Sequence, residues 1–366
     1  MDVKKINRWR SYAFFRGADE IKELCSGYFS TRHSHLLFVL GCGFDPRMNN
    51  VFYQLLESRC FEKISCILID YPAETESEET VMYKKNFNQF KMLCENYGIE
   101  RIDVKDEHAH DVERRIMFII QHLRTRDYAI YDDIIIDVSA MPKAIYFNVC
   151  RFFYKKCEEE KKNLLFSVSE NVKIDSLIDD IAGDEIYPIH GFGKHYLMES
   201  NLDKRSVLIP LLGERHVNEL LKIYENFRPV DVCPILPFPS QNPRRSEDLL
   251  ISHMQLFKRL DIDEPQNFTY ADERNPFELY GILCDLINNY RKTLSPITDC
   301  VCFGIATLTS KLMSLGALLV GLEQADDISY YSSSPVSYSV KDQDELWRIN
   351  NESESFIMWI TGEAYE

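Results

Sequence analysis

Leu36-Leu37-Phe38-Val39-Leu40-Gly41-Cys42-Gly43-Phe44-Asp45-Pro46-Arg47 opens as an apolar run of strand length and closes on glycines, an acid, a proline and a base. A short, continuous apolar run suits a parallel strand covered on both faces. Glycines followed by Asp-Pro predict a turn into a helix. The same pattern returns in Val207-Leu208-Ile209-Pro210-Leu211-Leu212, which runs into Gly213-Glu214-Arg215-His216.

Working outward, further strand signals pair up in the same order. Cys66 to Pro72 is answered by Val232 to Pro237, and Ile134 to Lys143 by Cys300 to Lys311. Leu164 to Ser169 is answered by Ile328 to Ser333, and Ile186 to Gly191 by Ile357 to Gly362. The offsets are all roughly 164–171 residues, a spacing that predicts a duplicated unit. Two unrelated α/β domains of similar size would also show such echoes. Between the strands, Phe87 to Tyr97, Val112 to Leu123, Leu249 to Leu260 and Phe277 to Tyr290 carry apolar stripes at helical spacing. Strands alternating with helices imply βαβ units with right-handed crossovers. The expected fold class is α/β, as two tandem Rossmann-like, doubly wound, mainly parallel domains related by internal duplication. The expected organisation is an N-terminal helical extension over 1–32, a first lobe over 33–198 and a second over 199–366, joined at the polar segment Glu199 to Arg205.

Length and composition agree with two cores. The chain has 366 residues, beyond the ~250–300 at which one core stops growing. Hydrophobic residues are 45% and charged residues 27%, enough apolar surface to fold. The longest apolar run, Leu315 to Leu322, is far short of the ~20 residues of a membrane span. No basic-apolar-small leader is seen, so a cytoplasmic protein is expected. Eleven cysteines lie singly in apolar runs, which reads as reduced, buried thiols. The net charge of −16 argues against coating an extended duplex, whose affinity comes from neutralised phosphates. A small anion in a local basic pocket is still open.

In an open α/β sheet, ligands bind beyond the carboxyl ends of the strands. The candidate ligand-binding residues there are Gly41, Gly43 and Arg47 after the first strand, and Asp137, Ser139 and Lys143 after the fourth. In the second half they are Arg215, Thr309, Ser310 and Lys311. Glycines allow close backbone approach, helix N-termini offer N–H groups, and Arg and Lys add charge, so the set points to a phosphate or another anion. Asp45-Pro46 and Ser139 with Pro142 could also be helix caps. Arg244 and Arg245 could be a second basic element or a solvated pair.

A parallel α/β core carrying Asp137-x-Ser139-x-x-x-Lys143 after an apolar strand resembles the CARF fold, the Rossmann-like sensor domain of CRISPR-associated and related antiviral proteins. It is also similar to the SAVED arrangement, which joins two CARF-like units in one chain. The resemblance covers most of the chain as architecture and two short loops per half as sequence. Ala140-Met141-Pro142 and Leu308-Thr309-Ser310 stand where that family often has Thr-Gly before the lysine. The resemblance implies binding of a nucleotide or oligonucleotide-type anion in a cleft between two lobes, as a sensor or accessory subunit in prokaryotic antiviral defence. It implies a separate effector or ATPase subunit as partner; no membrane and no cofactor are expected. It leaves open whether the cleft cuts its ligand without a metal, as ring nucleases do. Lys143 or Lys311 would then stabilise the charge developing on phosphorus.

Two other readings stand beside it. One is an adaptor that presents surfaces to partner subunits without a ligand. The other is an S-adenosylmethionine-dependent methyltransferase, for which Leu40 to Gly43 would be the glycine loop and Asp70 the ribose acid, although Phe44 and Asp45 stand where a third glycine is wanted. The pairs His33/His35, His108/His110 and His190/His195 lack a partner at metal-ligand spacing, and Cys300 and Cys302 share one face of a strand. No metal is expected.

Overall fold

The computed structural model describes residues 8–70, 78–105, 111–181, 186, 188–193, 204–260, 262, 267–298, 300–324, 327–332 and 337–366. It is an α/β protein of two compact units, each discontinuous in sequence. One, here the N-terminal unit, is Tyr12–Ile181 with Val336–Glu366; the other, the central unit, is Met1–Ser11 with Ala182–Pro335. The contiguous lobes 33–198 and 199–366 are the sequence's division; the compact units divide the chain differently at both ends.

In the N-terminal unit the order begins β1 (Phe14–Arg16), α1 (Gly17–Gly27), β2 (His35–Cys42), α2 (Asn50–Ser58) and β3 (Lys63–Asp70). It continues with α3 (Glu78–Tyr97), β4 (Glu100–Lys105), α4 (Val112–Arg124), β5 (Asp133–Asp137) and α5 (Lys143–Glu160). β6 (Asn163–Glu170), α6 (Val172–Leu177) and β7 (Ile178–Ile181) follow. The central unit holds β8 (Lys204–Leu211), α7 (Val217–Phe227), β9 (Asp231–Val232), β10 (Ile235–Pro237) and α8 (Arg245–Arg259). It then adds β11 (Thr269–Ala271), α9 (Pro276–Leu294), β12 (Cys300–Thr307), α10 (Lys311–Glu323) and β13 (Ile328–Tyr331). β14 (Ser337–Val340), α11 (Gln343–Ile349) and β15 (Glu354–Thr361) return to the N-terminal unit.

The first sheet runs β1-β15-β6-β5-β2-β3-β4. Its five strands from β6 to β4 are parallel, and β15 lies antiparallel on β6. Residues Leu36 to Cys42 of β2 are all buried, as helices on both faces require. Helices α1 and α2 cover one face, with Ile21 and Leu24 of α1 and Phe52 and Leu55 of α2 in one core with Phe38 and Leu40. The second sheet runs β11-β10-β8-β12-β13, again parallel. Numbered within each unit, both parallel sheets have the order 3-2-1-4-5. A doubled unit requires that match, and two independent doubly wound sheets also produce it.

Two expected strands came out otherwise. Val232 to Pro237 is split into β9 and β10 around Cys233-Pro234, since proline has no N–H to give a ladder. Ile186 to Gly191 is not a strand in its described residues; Pro188 makes one antiparallel bridge to Tyr331, and Ile189 N donates to Tyr330 O at 2.7 Å. The N-terminal segment is likewise not purely helical: β1 pairs antiparallel with β15, and Trp9 packs edge-on against Tyr280 in the central unit.

Alongside the first sheet, α6, β7, β14 and α11 build a small satellite layer. β14 pairs antiparallel with β7, and Ile174, Val340, Leu346 and Ile349 form its core with Met82. In the central unit α10 is buried from Leu312 to Gly321. Gly316 lets it approach α9: a Cβ there would lie 2.4 Å from Pro276 O. Among the described residues, no helix is long and apolar enough to cross a membrane.

Candidate functional site

The order 3-2-1-4-5 reverses between strands 1 and 4, and crossovers leaving those strands go to opposite faces. In open α/β sheets this switch point, beyond the carboxyl ends of the two strands, is where ligands bind. In the N-terminal unit the strands are β2 and β5, with Leu40 opposite Asp137; in the central unit they are β8 and β12, with Leu211 opposite Thr307. The candidate residues fall into these two places. Gly41, Gly43, Arg47, Asp137, Ser139 and Lys143 belong to the first, and Arg215, Thr309, Ser310 and Lys311 to the second.

At the first switch point, Asp137 is buried and accepts hydrogen bonds from Ser139 N at 3.0 Å, Ser139 Oγ at 3.1 Å and Ser167 Oγ at 2.9 Å. Ser139 Oγ in turn accepts from Ser169 N at 2.8 Å. The Asp-x-Ser pattern thus ties β5 to β6, with the Ser139 hydroxyl both donating and accepting. Lys143 is the first residue of α5 and is half-buried, after Pro142, which supplies no side-chain cap.

The loop after β2 is held from several sides. Asn86 on α3 donates to Gly43 O at 2.7 Å and Asp45 O at 2.9 Å, while Phe44 packs on the satellite core. Asp45 caps the short 3-10 turn Pro46–Asn49 by accepting from Arg47 N at 3.0 Å. The buried Arg47 guanidinium returns a fork to Asp45, Nε at 2.9 Å and Nη2 at 2.7 Å, and reaches Asp175 of α6 at 2.8 Å. Burial alone would pull its pKa down; the Asp175 and Asp45 carboxylates more than reverse this and raise it. An anion reaching Arg47 has to displace one of those carboxylates. Asn50, Ser169 and Asn350 close this end, with Asn50 Nδ2 at 3.0 Å from Ser169 Oγ and Asn350 Nδ2 at 3.1 Å from Pro46 O. Asp70, at the end of β3, accepts from Tyr83 OH at 2.5 Å, and burial raises its pKa.

The second switch point is built differently. Ser310 caps α10, accepting from Met313 N at 3.3 Å, and Lys311 follows as the first helical residue, half-buried. Thr309 is buried, with Oγ1 at 3.4 Å from Met313 S. The loops after β8 and β12 touch through Gly213, where a Cβ would lie 2.0 Å from Leu308 O. Arg215, exposed, takes the left-handed φ of 69° that glycine usually supplies.

Arg244 and Arg245 part company. Arg244 is exposed, as a solvated residue would be. Arg245 has only 10% of its side chain exposed and binds Glu214 through Nε at 2.7 Å and Nη2 at 2.8 Å, with Nη1 on Glu273. Burial would raise the Glu214 pKa, but the Arg245 hydrogen bond and charge bring it below the usual carboxylate value. Sequence reasoning did not connect these three, since Glu214, Arg245 and Glu273 come from three separate strand-to-helix junctions. Cys300 and Cys302 do share a face, with sulfurs 3.7 Å apart, and every cysteine is a free thiol. His108, His110 and His195 lie outside the described residues.

No family model and no curated protein matches the chain. Among solved structures it is similar to a type III CRISPR defence DNA nuclease activated by cyclic oligoadenylate. That likeness has a TM-score of 0.48 and 10% identity, over 81% of this chain and 65% of that one. The chain therefore spans 65% of that nuclease's length. It is also similar to a universal stress protein from Archaeoglobus fulgidus, with a TM-score of 0.23 and 9% identity over 82% of this chain and 96% of that one. A third similar structure is the cytoplasmic domain of a prokaryotic cation chloride cotransporter, with a TM-score of 0.24 and 12% identity over 82% and 95% of the two chains.

Proposed function

We propose that this protein binds a nucleotide-type, phosphodiester-bearing anion at its switch-point crevices, as a CARF-like sensor or accessory subunit in prokaryotic antiviral defence. The observation that carries this reading is that each switch point has a hydroxyl residue followed by a lysine at a helix start: Ser139 with Lys143 on α5, and Ser310 with Lys311 on α10. Helix N-termini and lysines favour negative charge, and a hydroxyl adds a donor. The central unit's crevice is the better candidate. Its Arg215 is exposed, whereas Arg47 is buried between two carboxylates.

The test is thermal unfolding of the full chain with cyclic oligoadenylate, mononucleotides and S-adenosylmethionine. A ligand at a hundred times its Kd adds about 2.7 kcal/mol of stability. The expected result is stabilisation by an oligonucleotide that is lost in Lys143→Ala/Lys311→Ala, with the unliganded melting curve unchanged. Stabilisation by S-adenosylmethionine alone would make the chain a methyltransferase. No shift with any nucleotide would leave the ligand-free adaptor. An unchanged shift in the double variant would reject the lysines.

A further inference from the structure

We propose that Glu214 is a resident stand-in for the ligand, occupying on Arg245 the position that a phosphodiester takes when it binds. This deepens the nucleotide reading and rests on it. Arg245 opens α8 with 10% of its side chain exposed, and Glu273, at 8%, is buried beside it. Glu273 is further held by Gln241 N, which donates to Oε2 at 3.1 Å. Glu214 differs. Its side chain is 56% exposed and sits between Gly213 and the left-handed Arg215, on the loop that abuts the Thr309–Lys311 turn.

One guanidinium therefore faces two carboxylates, and only one of them can leave for water at small desolvation cost. The parallel fork that Glu214 fills, 2.7 and 2.8 Å, is the geometry in which arginine also takes two non-bridging phosphate oxygens. A phosphodiester carries one negative charge, so exchanging it for Glu214 leaves the charge around Arg245 unchanged. A terminal monoester, near −2 at neutral pH, adds repulsion against the buried Glu273. The site accordingly favours diester over monoester phosphate, which selects a cyclic or internal linkage over a free nucleotide.

The experiment uses the full chain as wild type, Glu214→Gln and Arg245→Lys, titrated with cyclic oligoadenylate and with adenosine monophosphate. Arginine side-chain NMR follows Arg245 Nε as dimethyl phosphate is added. Freed of its competitor, Glu214→Gln should bind the cyclic ligand about fivefold more tightly. Arg245→Lys, which loses the fork, should weaken it about tenfold. In Glu214→Gln, dimethyl phosphate should shift the Arg245 resonance. If wild type binds the cyclic ligand and Glu214→Gln binds it no better, the stand-in is overturned and the nucleotide reading survives. If dimethyl phosphate shifts Arg245 while no oligonucleotide binds, the exchange stands and the oligonucleotide reading falls. A silent Arg245 resonance in Glu214→Gln overturns the exchange outright.

Discussion

Replacing Arg47 with methionine tests whether its charge serves the fold or a ligand. The guanidinium is divided between Asp45, whose side chain is 9% exposed, and Asp175, at 45%. Once the cation is gone, Asp175 can turn into water, and its pairing accounts for at most about 0.2–1 kcal/mol. Asp45 keeps the Arg47 N–H as a donor, but its buried carboxylate loses the guanidinium fork. Breaking a buried pair on one side costs about 3–5 kcal/mol, and that is the loss expected for the N-terminal unit. Arg47→Met with Asp45→Asn leaves no orphaned charge, so the double variant should recover about 2 kcal/mol or more of the summed single losses. Urea unfolding should be followed in a Trp9→Phe background. Of the chain's 3 tryptophans, Trp347 and Trp359 then report the N-terminal unit alone. That separation matters because two compact units do not unfold as one two-state system. A loss below about 1 kcal/mol for Arg47→Met, or strict additivity in the double variant, would refute the internal role and return Arg47 to the ligand.

Two further outcomes follow from packing and titration. Gly316→Ala, which in an exposed helix interior would gain up to about 1 kcal/mol, should instead destabilise the central unit by about 1–3 kcal/mol. The new Cβ would meet Pro276 O, a backbone atom, at 2.4 Å, and thermal unfolding reads the sign. His253 is fully buried, with Nδ1 at 2.9 Å from Leu249 O and its ring stacked on Phe257; burial lowers its pKa. The folded state therefore favours the neutral ring, while the unfolded chain takes a proton below about 6.5. Stability of the central unit, read from Trp9 in a Trp347→Phe/Trp359→Phe background, should fall as pH drops below that value. His253→Phe should flatten that fall; an equally steep profile in the variant would clear His253 of responsibility.

The strands at the centre of both sheets were legible because they are buried on both faces and so appear as unbroken apolar runs. β2, β3, β5, β6, β8 and β12 all fall on such runs. At the margins β13 was also read, but β4 and β11 were not. β4 alternates as Glu-Arg-Ile-Asp-Val-Lys, and β11 is only three residues long, so neither stands out from its surroundings. The helix starts at Lys143 and Lys311 were readable from Pro142 and from the Ser310 cap, which are local signals.

Local chemistry stops where partners arrive from elsewhere in the chain. Asp137-x-Ser139 could be read as a polar turn; that Ser167 and Ser169 meet it follows from β6 lying beside β5. Nothing near Arg47 announces Asp175, and nothing near Arg245 announces Glu273, because folding brings those carboxylates from elsewhere in the chain. Residue order and hydrophobic spacing were enough to set out the βαβ alternation and the polar strand ends, since both arise from neighbours along the chain. Which basic side chains are already neutralised, which strand closes the first sheet, and which loops touch depended on contacts between distant segments, and such contacts leave no periodic trace in the sequence.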